Sequence, residues 1–278
     1  MAYTTDLTLP QFEALNKLLP QSKTNQGFIS KHLIVNGILY QLKNGCQWRD
    51  LPSDFPQWQT VSSQFRRWRI EGEWDEILCA LAKRERAGKK SEYPSLLLGA
   101  SMCAKNTDTA DLETKGYCHY KATNGIKRHL LVDVWGTPYF VKCTAANISD
   151  DEGLLAISKE NKEYFLTLPD GHTITILLDN GYHKEYLEAA LEKLEPSLRE
   201  VLKIEIAAKI TPPQKAQAKA EKPAQQGFVV IAKRWIVERT NAWINQCRVW
   251  WKNCEGLLET SETKIRICSI RLILRRIA

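Results

Sequence analysis

The chain has no apolar run approaching the roughly 20 residues that a membrane-spanning helix requires. Its opening segment, MAYTTDLTLPQFEALNKLL, is amphipathic and lacks the basic flank and apolar core of a secretory signal. A cytoplasmic protein without a membrane partner is therefore expected. Paired metal-binding cysteines are missing too. The eight cysteines (Cys46, Cys79, Cys103, Cys118, Cys143, Cys247, Cys254 and Cys268) stand singly, mostly among apolar residues, with no C-x-x-C pair. The five histidines also lack paired ligand spacing, which argues against a structural zinc site and for reduced core thiols.

Charge is not in large excess: the formal net charge is only +7. Its distribution is more informative. From Lys233 to Ala278 the basic residues are Lys233, Arg234, Arg239, Arg248, Lys252, Lys264, Arg266, Arg271, Arg275 and Arg276, against Glu238, Glu255, Glu259 and Glu262. That end can face a polyanion.

At 278 residues and 44% hydrophobic content, the chain can bury a sizeable core in one large domain plus a smaller one. Residues 1–82 read as the smaller, helical one. Phe12, Leu15, Leu18 and Leu19 recur at helical spacing, as do Leu33, Ile34, Ile38 and Leu42. Gly45–Pro52 breaks the pattern, and Pro56–Trp74 resumes it with Val61, Phe65 and Trp68. The result is three or four short helices of helix-turn-helix type, with Gln64, Arg66, Arg67 and Arg69 on an exposed face. Residues 83–94, KRERAGKKSEYP, read as a charged linker.

From residue 95 the pattern changes to strands. Leu96–Leu98 starts one, and 128–134 and 139–145 flank the turn Trp135–Pro138. Residues 173–178 and 201–207 read as two more strands, with helices over 152–162 and 186–194. The expected architecture is α/β, a mixed sheet with helices packed on it. Residues 212–226 read as a mobile surface loop, followed by helices over 232–251 and 264–276.

Two acids stand out. Asp179 ends a buried strand before Asn180-Gly181, a position that suits a divalent-metal ligand and equally a turn or helix cap. Glu238 lies in a helix crowded with cations and aromatics, beside Arg234, Trp235 and Asn241, where it serves as a catalytic acid or as an intrahelical ion-pair partner. Spacing alone does not choose between these roles.

Longer motifs do. Residues 33–52, LIVNGILYQLKNGCQWRDLP, continue through Phe55-Pro56, Val61 and Phe65–Trp68. Lys115–Tyr117, Gly125–Asp133 with Gly136, Asp179–Tyr182, Arg234–Trp243 and Ser269–Arg276 complete the set. Over nearly its full length the chain resembles the DNA transposases of bacterial insertion sequences, specifically the insertion-sequence-five group. The resemblance implies a ribonuclease-H-like catalytic domain over 95–278. It also implies an Asp, Asp, Glu triad holding two magnesium ions, with manganese as a substitute, for strand cleavage and strand transfer. Asp179 would be the second acid and Glu238 the third. The first falls on Ala100, in Ala100–Lys105, where the family has aspartate. Because the first acid normally bridges both ions, a methyl group there implies an inactive form. Three origins fit: a deliberate substitution that holds the protein on uncut DNA, natural loss in a non-catalytic DNA-binding protein derived from a transposase, or an acid supplied instead by Asp108 or Asp111.

The partners implied are double-stranded DNA, namely the element's terminal inverted repeats and the target, and a second copy of the chain, since two ends must be joined. Arg66, Arg67 and Arg69 are candidates for reading the ends. Lys127, Arg128, Arg234, Arg239 and Arg248 are candidates for holding strands near the catalytic pocket. Trp235, Trp243, Trp250 and Trp251 are either core residues or stacking surfaces for unpaired bases.

Overall fold

The computed structural model describes residues 3–20, 30–89, 91–111, 114–207 and 231–277. The N-terminal part is helical for local reasons. Helix α1 (Leu9–Asn16) begins with a reciprocal cap: Thr8 Oγ1 accepts from the Gln11 amide while the Gln11 side chain accepts from the Thr8 amide. Helix α2 (Lys31–Asn44) starts at Ser30, whose Oγ accepts from the His32 amide, and stops at Gly45 with φ +67°. Its inward face is Ile34, Val35, Ile38, Leu39 and Leu42, whereas Leu33, expected on that face, is exposed. The continuous pattern from Pro56 to Trp74 resolves into two helices, α3 (Trp58–Ile70) and α4 (Glu73–Ala87). Gly72 breaks it with φ +75°, and Trp74 turns in to meet Trp68 edge-on at 5.4 Å.

Helix α4 continues through residues 83–87, which composition reads as linker. Two of those charges, Glu85 and Arg86, are buried rather than solvated. Arg86 Nη1 donates to Asp133 Oδ2 at 3.0 Å with both side chains buried, and Glu85 is paired with Lys89 at 2.6 Å and Arg276 at 3.3 Å. A charged run marks a hinge only when water, not a partner, satisfies it.

The sheet has six strands: β1 (Leu96–Lys105), β2 (Gly116–Cys118), β3 (Thr123–Asp133), β4 (Pro138–Ala145), β5 (Ile174–Leu178) and β6 (Leu202–Ile206). β3 runs antiparallel to β1 on one side and to β2 and β4 on the other, and β1, β5 and β6 are mutually parallel. The β3–β4 hairpin closes at Gly136, φ +79°, where Asp133 Oδ1 accepts from the Trp135 and Thr137 amides, each at 2.9 Å. The crossovers carry α5 (Asp150–Glu160), α6 (Lys162–Leu166), α7 (Lys184–Leu194) and α8 (Pro196–Val201). This is a helical region followed by the mixed α/β sheet of a ribonuclease-H-like fold.

Two helices close the chain, α9 (Ile231–Ile244) and α10 (Leu258–Ile277). The helix expected over 232–251 stops at Ile244, and a 3₁₀ turn at Arg248–Trp250 follows. The expected mobile loop, 212–226, lies outside the described residues. Helix α10 packs against α1, α2 and α4 on one side and β4 and α9 on another. Its Ile265, Ile267, Ile270, Ile273 and Leu274 join one hydrophobic core that runs from the N-terminal helices into the sheet. Each such side chain contributes about 1.5–3 kcal/mol of burial. Its charges are matched inside: Arg266 pairs with Glu262 and with Asp75, each at 2.5 Å. The helical region and the sheet are thus joined by a shared helix.

Candidate active site

β1 is the middle of the sheet, and its register fixes what lies beside Ala100. The β1–β5 ladder pairs Leu96 with Thr175, Leu97 with Ile176 and Leu98 with Leu177. Continued for two residues beyond that last pair, the same register would set Ala100 opposite Asp179, which lies just past the end of β5. Gly99 permits this approach, because a Cβ there would come within 2.5 Å of Leu178 Cδ2. On its other side Ala100 pairs with Leu130 of β3.

The segment after β5 folds back over β1. Asp179 Oδ1 accepts from the Gly181 amide at 2.9 Å, and the Tyr182 amide donates to the Asp179 carbonyl at 3.3 Å. Tyr182 then buries its ring, with the side chain of Ser101, the neighbour of Ala100, near its hydroxyl. Burial pushes its phenol pKa up, reinforced by the carboxylates of Asp150, Asp179 and Asp151.

Sequence reasoning alone does not single out Asp150 and Asp151. They occupy the first turn of α5, which Ser149 caps by accepting from the Glu152 amide. Asp150 pairs with Lys127 at 2.9 Å, and Lys127 also donates to the Ile148 carbonyl. Asp151 is buried and holds His183 twice, accepting from its amide at 2.9 Å and meeting Nδ1 at 2.7 Å. Their sequence signal is Ser149-Asp-Asp-Glu152, which reads as an ordinary helix start.

Helix α9 carries Glu238. Ile236, Val237, Thr240 and Ile244 face inward, and Thr240 Oγ1 donates to the Gly136 carbonyl at 3.0 Å, which fixes the helix to the hairpin tip. A Cβ at Gly136 would meet that oxygen at 2.5 Å, so glycine serves both the turn and the docking. Glu238 is on the exposed side of α9.

Asp108 and Asp111 lie beyond the other end of β1, where Thr107 and Asn106 meet Asn253 and Asp111 approaches Gly256. Seven residues of chain lie between Ala100 and Asp108.

Family models match two stretches of the chain. One, described as a transposase of the IS4/5 family, covers residues 7–78, and the transposase DDE domain covers residues 101–270. The chain belongs to the DDE transposases of insertion sequences. No curated protein and no solved structure matches it. The DDE match begins one residue after Ala100.

Transposases of this family act on DNA with divalent metals. The donor set in this chain does not fit such an ion. Ala100 carries no oxygen donor in its side chain, and among the described residues no group of three or more His, Cys, Asp or Glu side chains is arranged to hold a metal. No helix among the described residues is long and apolar enough to cross a membrane.

The arginines expected to meet DNA are unequally placed. Arg66 and Arg67 are exposed on α3. Arg69 is not on that open face: it donates to Glu259 of α10 at 2.6 Å and ties α3 to the last helix. Arg128 is buried, with its guanidinium over the Trp250 ring and donating to the Trp250 and Val249 carbonyls. Arg239 donates to the Trp135 carbonyl at 3.0 Å and lies between Trp235 and Trp243. Arg248 is exposed, and the side chain of Arg234 lies outside those described. The tryptophans divide as well: Trp250 is core, while Trp235 and Trp251 are exposed.

All eight cysteines are free, as expected, but only four are buried, and Cys254 is exposed. Burial and the neighbouring Cys118 thiol push the Cys103 thiol up to about 11. A hydrogen bond from Cys268 and the charge of Arg271 pull Cys247 down to about 6.

Proposed function

We propose that this transposase binds the terminal inverted repeats of its insertion sequence as a homodimer and, with Ala100 at the first acid position, holds them without cutting. What supports this reading is the β1–β5 register, whose last pair is Leu98 with Leu177; continued by two residues it runs Ala100 opposite Asp179, the residue that follows β5. A methyl group at that position supplies neither a bridge between metal ions nor a hydrogen-bond acceptor. Asp179 and Glu238 remain as the second and third acids. Arg66 and Arg67 are the best-exposed candidates for end recognition. Cleavage and strand transfer, with magnesium or manganese, belong to the form carrying aspartate at position 100.

The test uses a duplex ending in the inverted repeat, with parent and Ala100→Asp proteins and magnesium, read on denaturing gels. The parent should bind and leave the strand intact, and Ala100→Asp should nick at the repeat boundary. Nicking by the parent at the variant's rate would place the first acid elsewhere. Binding by both with cleavage by neither, in magnesium and in manganese, would favour the second reading, a non-catalytic DNA-binding protein descended from a transposase. The missing acid itself favours that alternative.

A further inference from the structure

A cleft of about 1030 Å³ separates the α2–α3 connection from the segment after α9. We infer that it is a groove for a single unpaired DNA strand, an inference resting on the reading of the chain as a DNA-processing protein.

Three cation–aromatic pairs line it. Arg49 stands over Trp58 at 5.5 Å, Arg248 over Trp251 at 5.8 Å, and Lys264 over Trp48 at 5.6 Å. Trp251 is 64% exposed, yet its Nε1 donates to the Asn245 carbonyl at 2.7 Å, which fixes the ring while leaving apolar surface open. A fixed, exposed indole adds nothing to the core and offers a flat surface on which a base can stack.

The charges favour an anion. Arg49, Arg248 and Lys252 are exposed and form no ion pair with a described residue. The acids nearby are Glu255, neutralised by Lys264 at 2.6 Å, Asp50 next to Arg49, and the exposed Asp108 between the lining residues Thr107 and Thr109. Alternating guanidinium and indole suits the alternation of phosphate and base along a strand.

The two walls are tied to each other. Lys43 Nζ donates to the Gln246 carbonyl at 2.6 Å, and a Cβ at Gly45 would lie 3.2 Å from Arg248 Cβ. The groove is therefore preformed. Its volume is at the upper limit of pockets that take compact ligands, roughly 300–1,000 Å³, so a few nucleotides fit and a duplex does not. An acidic peptide would use the cations but leave the indoles without flat partners.

The experiment measures anisotropy of labelled (dT)15 and of an inverted-repeat duplex with the full chain, the Trp251→Ala, Trp251→Phe and Arg49→Ala variants, and poly-glutamate and dTMP as competitors. Trp251→Ala should weaken (dT)15 binding at least about five-fold, the loss of one stacked base, while Trp251→Phe retains most of it. Duplex binding should change less than about two-fold, since Trp251 contacts a base only in an unpaired strand. Unchanged (dT)15 affinity in Trp251→Ala and Arg49→Ala overturns the groove, as does displacement by poly-glutamate or dTMP as effective as by unlabelled strand. Should Trp251→Ala fail to fold, photocrosslinking of 5-iodouracil (dT)15 to the parent decides: adducts within 248–252 support the groove, and adducts only elsewhere overturn it. Loss of specific duplex binding with intact (dT)15 binding would reject the inverted-repeat reading and leave the groove standing.

Discussion

Ala100 lies two residues beyond Leu98 and Asp179 two beyond Leu177, the last pair of the parallel β1–β5 ladder. Adjacent strands are about 4.8 Å apart, so an aspartate at position 100 would set two carboxylates side by side. Without a cation they repel, and with one they share it. Ala100→Asp should therefore melt below the parent in chelator and regain or exceed the parent's melting temperature in millimolar magnesium or manganese. The parent should show little response. Thermal-shift curves with and without metal measure this, and identical metal responses in the two proteins would contradict the arrangement.

The Arg86–Asp133 pair makes a prediction about folding rather than chemistry. Both side chains are buried, and Asp133 also accepts from the Trp135 and Thr137 amides at the hairpin that docks α9. Removing one partner leaves an uncompensated buried charge, which costs about 3–5 kcal/mol. Arg86→Ala should lower stability in urea by that amount. A loss under about 1 kcal/mol would mean that water reaches the pair.

This pair also shows where reading the sequence stops. Periodicity identifies α2, the strands around Ala100 and Asp179, and the turn at Gly136, because each depends on local pattern and backbone conformation. Composition mistakes residues 83–87 for a hinge because their charges find partners at positions 133 and 276, far along the chain. The same applies to Arg69, which meets Glu259, and to Arg128, which is buried against Trp250. Of the candidate site, Asp179 and Glu238 are proposed only through family motifs. Asp150 and Asp151 are not, since a helix start and a site-organising turn look alike in sequence.

The unequal exposure of the α3 arginines separates recognition from architecture. Arg66 and Arg67 are exposed, whereas Arg69 is held by Glu259. Arg66→Ala and Arg67→Ala should each weaken duplex binding and reduce the slope of log affinity against log salt by about 0.9 for each phosphate that is no longer neutralised. Arg69→Ala should leave that slope unchanged and cost at most about 1 kcal/mol of stability, because Glu259 is largely exposed to solvent. Equal salt slopes for all three variants would remove α3 from the DNA-facing surface. Titrating binding across salt concentrations supplies the measurement.

His129 gives a pH dependence whose sign can be worked out. It pairs with Ser101 across β1 and β3, contacts Thr144 Oγ1 through Nε2 at 2.9 Å, and lies against Gly153 of α5, where a Cβ would fall within 2.1 Å of the ring. Burial lowers its pKa from 6.5 to about 4; Lys127 and Lys142 push the same way and Asp150 opposes them. Between those values the unfolded chain takes up a proton that the folded chain refuses. The stability is present in full above pH 6.5, is lost as pH falls towards 4, and levels off below. The steepest contribution is about 1.4 kcal/mol per pH unit. Other groups titrate in the same window, so the quantity to measure is the difference in urea stability between parent and His129→Gln from pH 7.5 to 4.5. That difference should shift in the variant's favour on acidification. Parallel curves for the two proteins would show that His129 is charged or solvated in the folded state.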